Sequence, residues 1–302
     1  MAEGALHGWL VIDKPLGLVS SRVVEVIRGA TGTKTGHAGT LDPWATGVLP
    51  IALGEATKTA AYAMNCRKSY RFRIRWGVAR TTDDREGAIA NECASRPDQN
   101  AIEAVLPCFI GTVLQSPPPY SAIKVNGQRA YALCRAAKPP VLPPRRVQIT
   151  AFRLVAIPDR DHADFEALVG KGTYIRALAR DLATALGTFG YVAELRRLSV
   201  GRFTEAQAIS LDAVVEHQHS LAQSLPVLPI DSALDELPAF DLTLAETARL
   251  RCGQRVVLHP GVGASIDRLD EGTVVAAYHA RRLVALAKTE SGGLRPSRVI
   301  HQ

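Results

Sequence analysis

Gly36-His37-Ala38-Gly39-Thr40-Leu41-Asp42-Pro43 sets one carboxylate on a loop bracketed by glycines, and that carboxylate is the residue of this chain best placed for chemistry. Proline at 43 disfavours the α region for the residue before it, so Asp42 is expected in an extended or turn conformation with its side chain projected from the loop. Gly36, Gly39 and Gly47 lack the bulk that would keep another molecule away from the main chain. A carboxylate held this way can serve as a nucleophile or a base, although the commoner fate of an acid in such a turn is simple solvation. His37 could bind a ligand, take a proton or hold a metal. A single histidine without companion ligands argues against the metal.

These residues need elements to hold them. Trp9-Leu10-Val11-Ile12 reads as a strand ending in the turn Asp13-Lys14-Pro15-Leu16-Gly17. Ser20 or Ser21 is placed to cap a helix running to about Ala30, with Val23, Val24 and Ile27 on one face. After the Asp42 loop, Val48 to Leu53 reads as a strand and Glu55 to Met64 as a helix. Tyr70-Arg71-Phe72-Arg73-Ile74-Arg75-Trp76 alternates apolar and cationic side chains, the clearest period-2 strand in the chain. Its arginine face is expected to be either solvated or turned toward a nucleic acid. Ile102, Val105, Leu106 and Phe109 repeat at helical spacing behind an Asp98 cap.

Residues 116 to 146 form a proline-rich insertion with six basic side chains, Lys124, Arg129, Arg135, Lys138, Arg145 and Arg146. A long basic segment of this kind suits a flap over a nucleic acid. Strands from Arg146 to Ile157 and Asp164 to Val169 then lead to a helix carrying Ile175, Leu178 and Leu182, and to a strand at Ala193 to Leu198. Pro226, Pro229 and Pro238 mark a change of texture, after which glycine-broken strands predict a small β-rich domain.

Composition narrows the partner. The chain has 302 residues and a formal net charge of +7, which favours a polyanion because clustered Lys and Arg gain affinity by releasing counterions from phosphates. Five cysteines without a C-x-x-C pair suggest neither a zinc site nor a disulfide framework, and His217-x-His219 is too little for a metal. No apolar run approaches the ~20 residues that span a bilayer, and the start lacks a basic-then-apolar leader, so a cytoplasmic protein without membrane attachment is expected.

The ordered motifs identify a family. The chain resembles the bacterial TruB-type tRNA pseudouridine synthases through Asp13-Lys14-Pro15-x-Gly17, Gly36-His37-x-Gly39-x-Leu41-Asp42-Pro43-x-Ala45-Thr46-Gly47-x-Leu49-Pro50 and Gly54-Glu55-Ala56-Thr57-Lys58. The match continues in Lys68-Ser69-Tyr70-Arg71, Pro118-Pro119-Tyr120-Ser121-Ala122-x-Lys124, Lys171-Gly172-Thr173-Tyr174-Ile175-Arg176 and Leu195-Arg196-Arg197-Leu198. The resemblance implies an α+β pseudouridine synthase fold with a mixed, largely antiparallel central sheet over residues 1–228, and a small C-terminal β-barrel of PUA type over 232–302. It implies isomerisation of uridine 55 in the T-loop of tRNA to pseudouridine by a monomer that needs no cofactor, metal or obligatory protein partner.

Roles carry over residue by residue. The resemblance makes Asp42 the catalytic carboxylate and Arg176 its bidentate partner, which keeps it ionised. Tyr70 is implied to stack on the target base, with its hydroxyl a candidate for removing the C5 proton, and His37 to occupy the space left by the extruded nucleotide. Tyr174 and Leu195 become walls of the uracil pocket, and Lys58 a phosphate contact. Trp44 stands where the family usually has leucine, Val19-Ser20-Ser21-Arg22 replaces a Thr-Ser-His pattern, and Arg80-Thr81-Thr82-Asp83-Asp84 matches only in part. These departures are expected to affect RNA fit rather than chemistry. The readings set against catalysis are an RNA-binding or tRNA-folding protein and a guide-dependent synthase acting on another RNA.

Overall fold

The computed structural model describes residues 6–136, 138–216, 225–259, 266 and 268–301; the expected pair at 217 and 219 lies outside them. A ten-stranded sheet organises the larger part of the molecule. Its path runs from Ile209–Ser210 through Gly8–Lys14, Thr46–Leu53, Gly190–Val200, Lys68–Trp76, His162–Val169 and Arg145–Asp159 to Gly111–Gln115. Two pairings on this path are parallel, Gly8–Lys14 with Ile209–Ser210 and Thr46–Leu53 with Gly190–Val200, and the others are antiparallel. The second parallel pairing joins only Arg196 to Thr46 and Arg197 to Gly47. The sheet therefore parts just where the Asp42 loop leaves it.

The alternation of Tyr70 to Trp76 is realised as expected. Phe72, Ile74 and Trp76 are buried in the principal core, where they meet Leu178 and Leu182 of the helix Ile175–Ala185. Four aromatic rings pack with centroids 5.5–6.1 Å apart, Phe72 stacked on Phe152 and Phe165, Phe152 tilted against Phe165, and Trp76 edge-on to Phe165. On the opposite face Arg71 and Arg73 meet acids of the neighbouring strands. Cross-strand register sets Arg71 against Glu166 and Arg73 against Asp164 and Glu194. Arg73 takes both oxygens of Asp164 at 2.6 and 2.9 Å, while Glu166 receives Arg71 and Arg153. Arg71 and Arg73 are thus paired with acids, Arg73 from both neighbouring strands, while Arg75 Nε is buried with no hydrogen-bond partner among the described residues.

Other expectations shift locally. The helix Ser20–Thr31 is capped at Val19 without a side-chain bond, and Ser20 is buried instead, accepting from Leu41 N at 2.9 Å. Asp98 does cap its helix, accepting from Ala101 N at 2.8 Å. The expected helix from Glu55 to Met64 is a 3-10 turn, Gly54–Lys58, followed by a short helix, Ala60–Asn65. The basic insertion carries a small hairpin turning at Asn126-Gly127 and a helix, Ala130–Arg135.

A second, five-stranded sheet, ordered Ala239–Asp241, Val274–His279, Arg282–Glu290, Gly293–Val299, Val256–Val257, forms the C-terminal part. It is joined to the larger sheet by one continuous core. Trp9, Val11 and Phe203 share a buried cluster with Ile230, Leu234, Ala276, Leu283, Leu286 and Ile300, and Trp9 Nε1 donates to Ile230 O at 3.0 Å.

Candidate active site

The loop carrying Asp42 is fixed from beneath by side chains that donate to backbone carbonyls of the loop and of the turn beside it. Lys14, fully buried, donates to the carbonyls of Pro15, Leu18 and Pro43 at 2.9, 2.7 and 3.1 Å. Arg197, 1% exposed, donates Nε to Val48 O at 2.7 Å and Nη2 to Gly39 O at 3.0 Å, one carbonyl on each side of the loop. Ser20 bonds both backbone groups of Leu41. Gly47 has φ +100°, and a Cβ there would lie 2.2 Å from the Arg197 carbonyl oxygen. Only glycine passes so close to the neighbouring strand.

Arg176 meets Asp42 from the first turn of the helix Ile175–Ala185. Its Nε lies 3.0 Å from Oδ2 and its Nη2 donates to Oδ1 at 3.3 Å, a two-point contact. The guanidinium has further partners. Nη1 donates to Thr82 O at 2.9 Å and lies 3.3 Å from Asp84 Oδ2, while Nη2 also reaches Tyr120 O at 2.8 Å in the basic insertion. Asp84 is a residue of this cluster that the local sequence does not single out. It is 3% exposed, and its carboxylate accepts from Thr82 Oγ1 at 2.5 Å, Glu86 N at 3.0 Å and Trp44 Nε1 at 3.2 Å. Its signal was the acidic run Asp83-Asp84, seen only as a partial match.

Burial pushes the Asp42 carboxyl above the ordinary carboxylate range; the Arg176 charge pulls it back and the Asp84 charge adds to the rise. Arg176 thus favours the ionised carboxylate, against the larger opposing effect of burial. A third of the Asp42 side chain stays open to solvent, so the buried group still has a reachable face. Burial also holds the His37 imidazole toward its neutral form, with the charges of Arg197 and Arg129 acting in the same direction. His37 Nδ1 is buried with no hydrogen-bond partner among the described residues.

The remaining sequence-derived residues divide. Tyr70 is half-buried, opposite Arg197 in the sheet and packed against the core that contains Leu41, Trp44 and Ala45. Tyr174 is the N-cap of the Arg176 helix. Its backbone is held at both ends by the Gln115 amide, at 2.8 and 3.2 Å, and the Arg145 guanidinium lies 5.0 Å over its ring. Leu195 is buried and, with Trp44, Leu16 and Arg85, lines a cavity of about 380 Å³ at the parting of the sheet. Lys58 is placed at the junction with the C-terminal sheet, where its ammonium donates to Glu55 and to Val299 O, each at 2.7 Å. Among the described residues, no three His, Cys, Asp or Glu side chains gather to hold a metal.

The mixed sheet, split at the carboxylate loop, is the architecture of pseudouridine synthases. The chain superimposes on a chain of an H/ACA RNP bound to a substrate RNA containing 2′-deoxyuridine with a TM-score of 0.74, covering 98% of this chain and 86% of the other at 24% identity. A chain of the archaeal box H/ACA sRNP Nop10-Cbf5 complex gives 0.72 over 97% and 86% at 24% identity. Residues 28–175 match the TruB family pseudouridylate synthase N-terminal domain, and 176–235 match the tRNA pseudouridylate synthase B C-terminal domain. The chain belongs to the TruB family of pseudouridylate synthases and is an enzyme of that class. It is 47% identical to tRNA pseudouridine synthase B of Caulobacter sp. (strain K31), over 98% of this chain and 96% of that protein. To the protein of the same name from Rhodospirillum rubrum it is 48% identical, over 98% and 97%.

Proposed function

We propose that the cleft around Asp42 converts uridine 55 in the T-loop of tRNA to pseudouridine, with Asp42 as the catalytic carboxylate acting on an extruded nucleotide. Isomerisation of tRNA uridine follows from the family and from relatives of that activity at 47–48% identity over nearly the whole chain. The observation that carries the assignment to Asp42 is its two-point contact with Arg176 on a loop braced by Lys14, Ser20 and Arg197.

The reaction breaks the bond from uracil N1 to C1′, turns the base, joins C5 to C1′ and removes the C5 proton. An ionised carboxylate can begin it by attacking C1′, by adding to C6, or by taking a sugar proton. All three routes require one aimed, reachable oxygen. Extruding a base costs a few kcal/mol, which stacking of about 1–3 kcal/mol per base offsets. A neutral His37 suits that stacking, and Tyr70 and Tyr174 supply aromatic surface for the target base. Tyr70 is also the candidate for the C5 proton, and Leu195 closes the pocket.

The basic insertion and the C-terminal sheet extend the tRNA surface; the latter, over 232–302, is read as a PUA-like RNA-binding unit. No helix among the described residues is long and apolar enough to cross a membrane, and the cytoplasm, where tRNA is processed, is the proposed compartment. The test uses an unmodified tRNA transcript tritiated at uridine C5, with no cofactor or partner protein added. Tritium released from the T-loop by the wild type, and none by Asp42→Asn despite retained tRNA binding, is the expected result. Tight binding without release by the wild type would leave a tRNA-binding protein.

A further inference from the structure

Trp44 is the residue at which the Asp42 motif departs from the family pattern, and it faces inward. It is 3% exposed, among Leu41, Ala45 and Leu195 in the principal core. Its only polar atom, Nε1, donates to Asp84 Oδ2 at 3.2 Å. The same oxygen lies 3.3 Å from Arg176 Nη1, and Arg176 grips Asp42 through Nε and Nη2. Asp42 and Trp44 are separated by Pro43 alone. The contacts therefore close a ring: carboxylate 42, guanidinium 176, carboxylate 84, indole 44, and back along the loop.

Lys14, Ser20 and Arg197 brace the loop backbone from beneath; without the indole, Asp42 would be its one hydrogen-bonded contact with Arg176 and Asp84 among the described residues. With it, the loop is held to the Arg176–Asp84 unit at two points two residues apart. Asp84 cannot rotate to follow, because Thr82 Oγ1 and Glu86 N occupy its other oxygen. We propose that Trp44 is a positioning residue for catalysis: its N–H fixes the Asp42 loop against Asp84 and so sets the direction in which the Asp42 carboxylate points. The inference rests on Asp42 as the catalytic carboxylate. It makes the tryptophan a part of the chemistry rather than of RNA fit.

Trp44 also fills core volume, so the test must remove the N–H and keep the shape. Replacing Trp44 with 3-benzothienylalanine, which puts sulfur where the indole has N–H, does so; Trp44→Phe is the simpler companion. Loss of one hydrogen bond to a charged group acting only in aiming lowers kcat about tenfold and leaves the KM for tRNA within about twofold. The expected result is that fall in kcat for the benzothienyl protein, with a melting temperature close to the wild type, and a fall at least as large for Trp44→Phe. Wild-type kcat in the benzothienyl protein would overturn the proposal, and so would a raised KM at unchanged kcat, which would place Trp44 in RNA fit. Asp42→Asn is inactive in either case, so retained activity there would sink the Asp42 assignment and be told apart from a failure at Trp44.

Discussion

Arg176 holds Asp42 and Asp84 on different edges of one guanidinium, with Nε and Nη2 on the first and Nη1 on the second. A planar fork with five donors can do this; a lysine ammonium, a single point of charge on a flexible stem, cannot reach both carboxylates and the carbonyls of Thr82 and Tyr120 at once. Arg176→Lys is expected to lower kcat by roughly two to three orders of magnitude, the scale for a lost preorganised donor. Binding of tRNA should change little. A variant that kept more than a tenth of wild-type kcat would remove Arg176 from the aiming of Asp42.

Gly47→Ala tests the brace instead of the carboxylate. The new methyl would lie 2.2 Å from the Arg197 carbonyl oxygen in a left-handed backbone, so either the loop or the strand must move. Strain of this kind costs about 1–3 kcal/mol for the backbone alone. Urea denaturation should show a loss of at least that size, with activity falling in the protein that remains folded. A midpoint equal to the wild type's would mean that the sheet parts more easily here than its geometry implies.

Activity should follow a bell-shaped dependence on pH. The reactive form of Asp42 is ionised and burial raises its pKa, so activity falls with falling pH from a higher value than an exposed aspartate would give. Lys14 is pulled down to about 8 by burial, and its charged form makes the three carbonyl bonds under the loop. Activity should therefore decline again above about pH 8. Lys14→Met, with a lower plateau, should lose that alkaline limb; an unchanged limb would assign it elsewhere. Stability has the opposite sign. Between about 8 and 10.5 the unfolded lysine holds a proton that the folded one has shed, so unfolding free energy rises with pH across that window, with Lys68, also lowered to about 8, adding to it.

For the C-terminal sheet, substitution is a cleaner probe than deletion. Cutting the chain near residue 232 would expose Trp9, Val11 and Phe203, which share a core with Leu283, Leu286 and Ile300, and the shortened protein should melt well below the full chain. Arg281, Arg282 and Lys288 are exposed. Changing them to glutamine should weaken tRNA binding and reduce the slope of log affinity against log salt by about one per lost phosphate contact. Turnover at saturating tRNA should stay at the wild-type level. Full affinity with an unchanged slope would give this sheet a task other than RNA contact.

Local pattern carried much of this architecture. Period-2 alternation located the strand from Tyr70 to Trp76, and the helix of Arg176 followed from Ile175, Leu178 and Leu182, because each of those faces is buried against a continuous core. Asp98 was recognisable as a cap because a cap acts within one turn. Ser20 looks like a cap and is not one for the complementary reason: its partner, Leu41, lies 21 residues away, and nothing local distinguishes a capping serine from one bonded to a distant loop. The arginine stripe revealed its charge but not its acids, which arrive from two other strands. Asp84 and Trp44 meet across 40 residues, and Lys58 finds its carbonyl 241 residues on, so their roles became readable only once the chain had closed on itself.

Lys14, Lys68 and Arg197 satisfy their donors on backbone carbonyls, and no carboxylate lies within ion-pair distance of them among the described residues. A carbonyl fills a hydrogen-bonding site without cancelling a charge. The ground under the Asp42 loop, where Lys14 and Arg197 lie, is therefore positive as long as Lys14 keeps its proton, below about pH 8, and is sealed from the counterions that quench surface lysines within about a Debye length. A polyanion drawn to the cleft meets two kinds of attraction: an outer one that fades as salt is added, and an inner one that salt barely reaches.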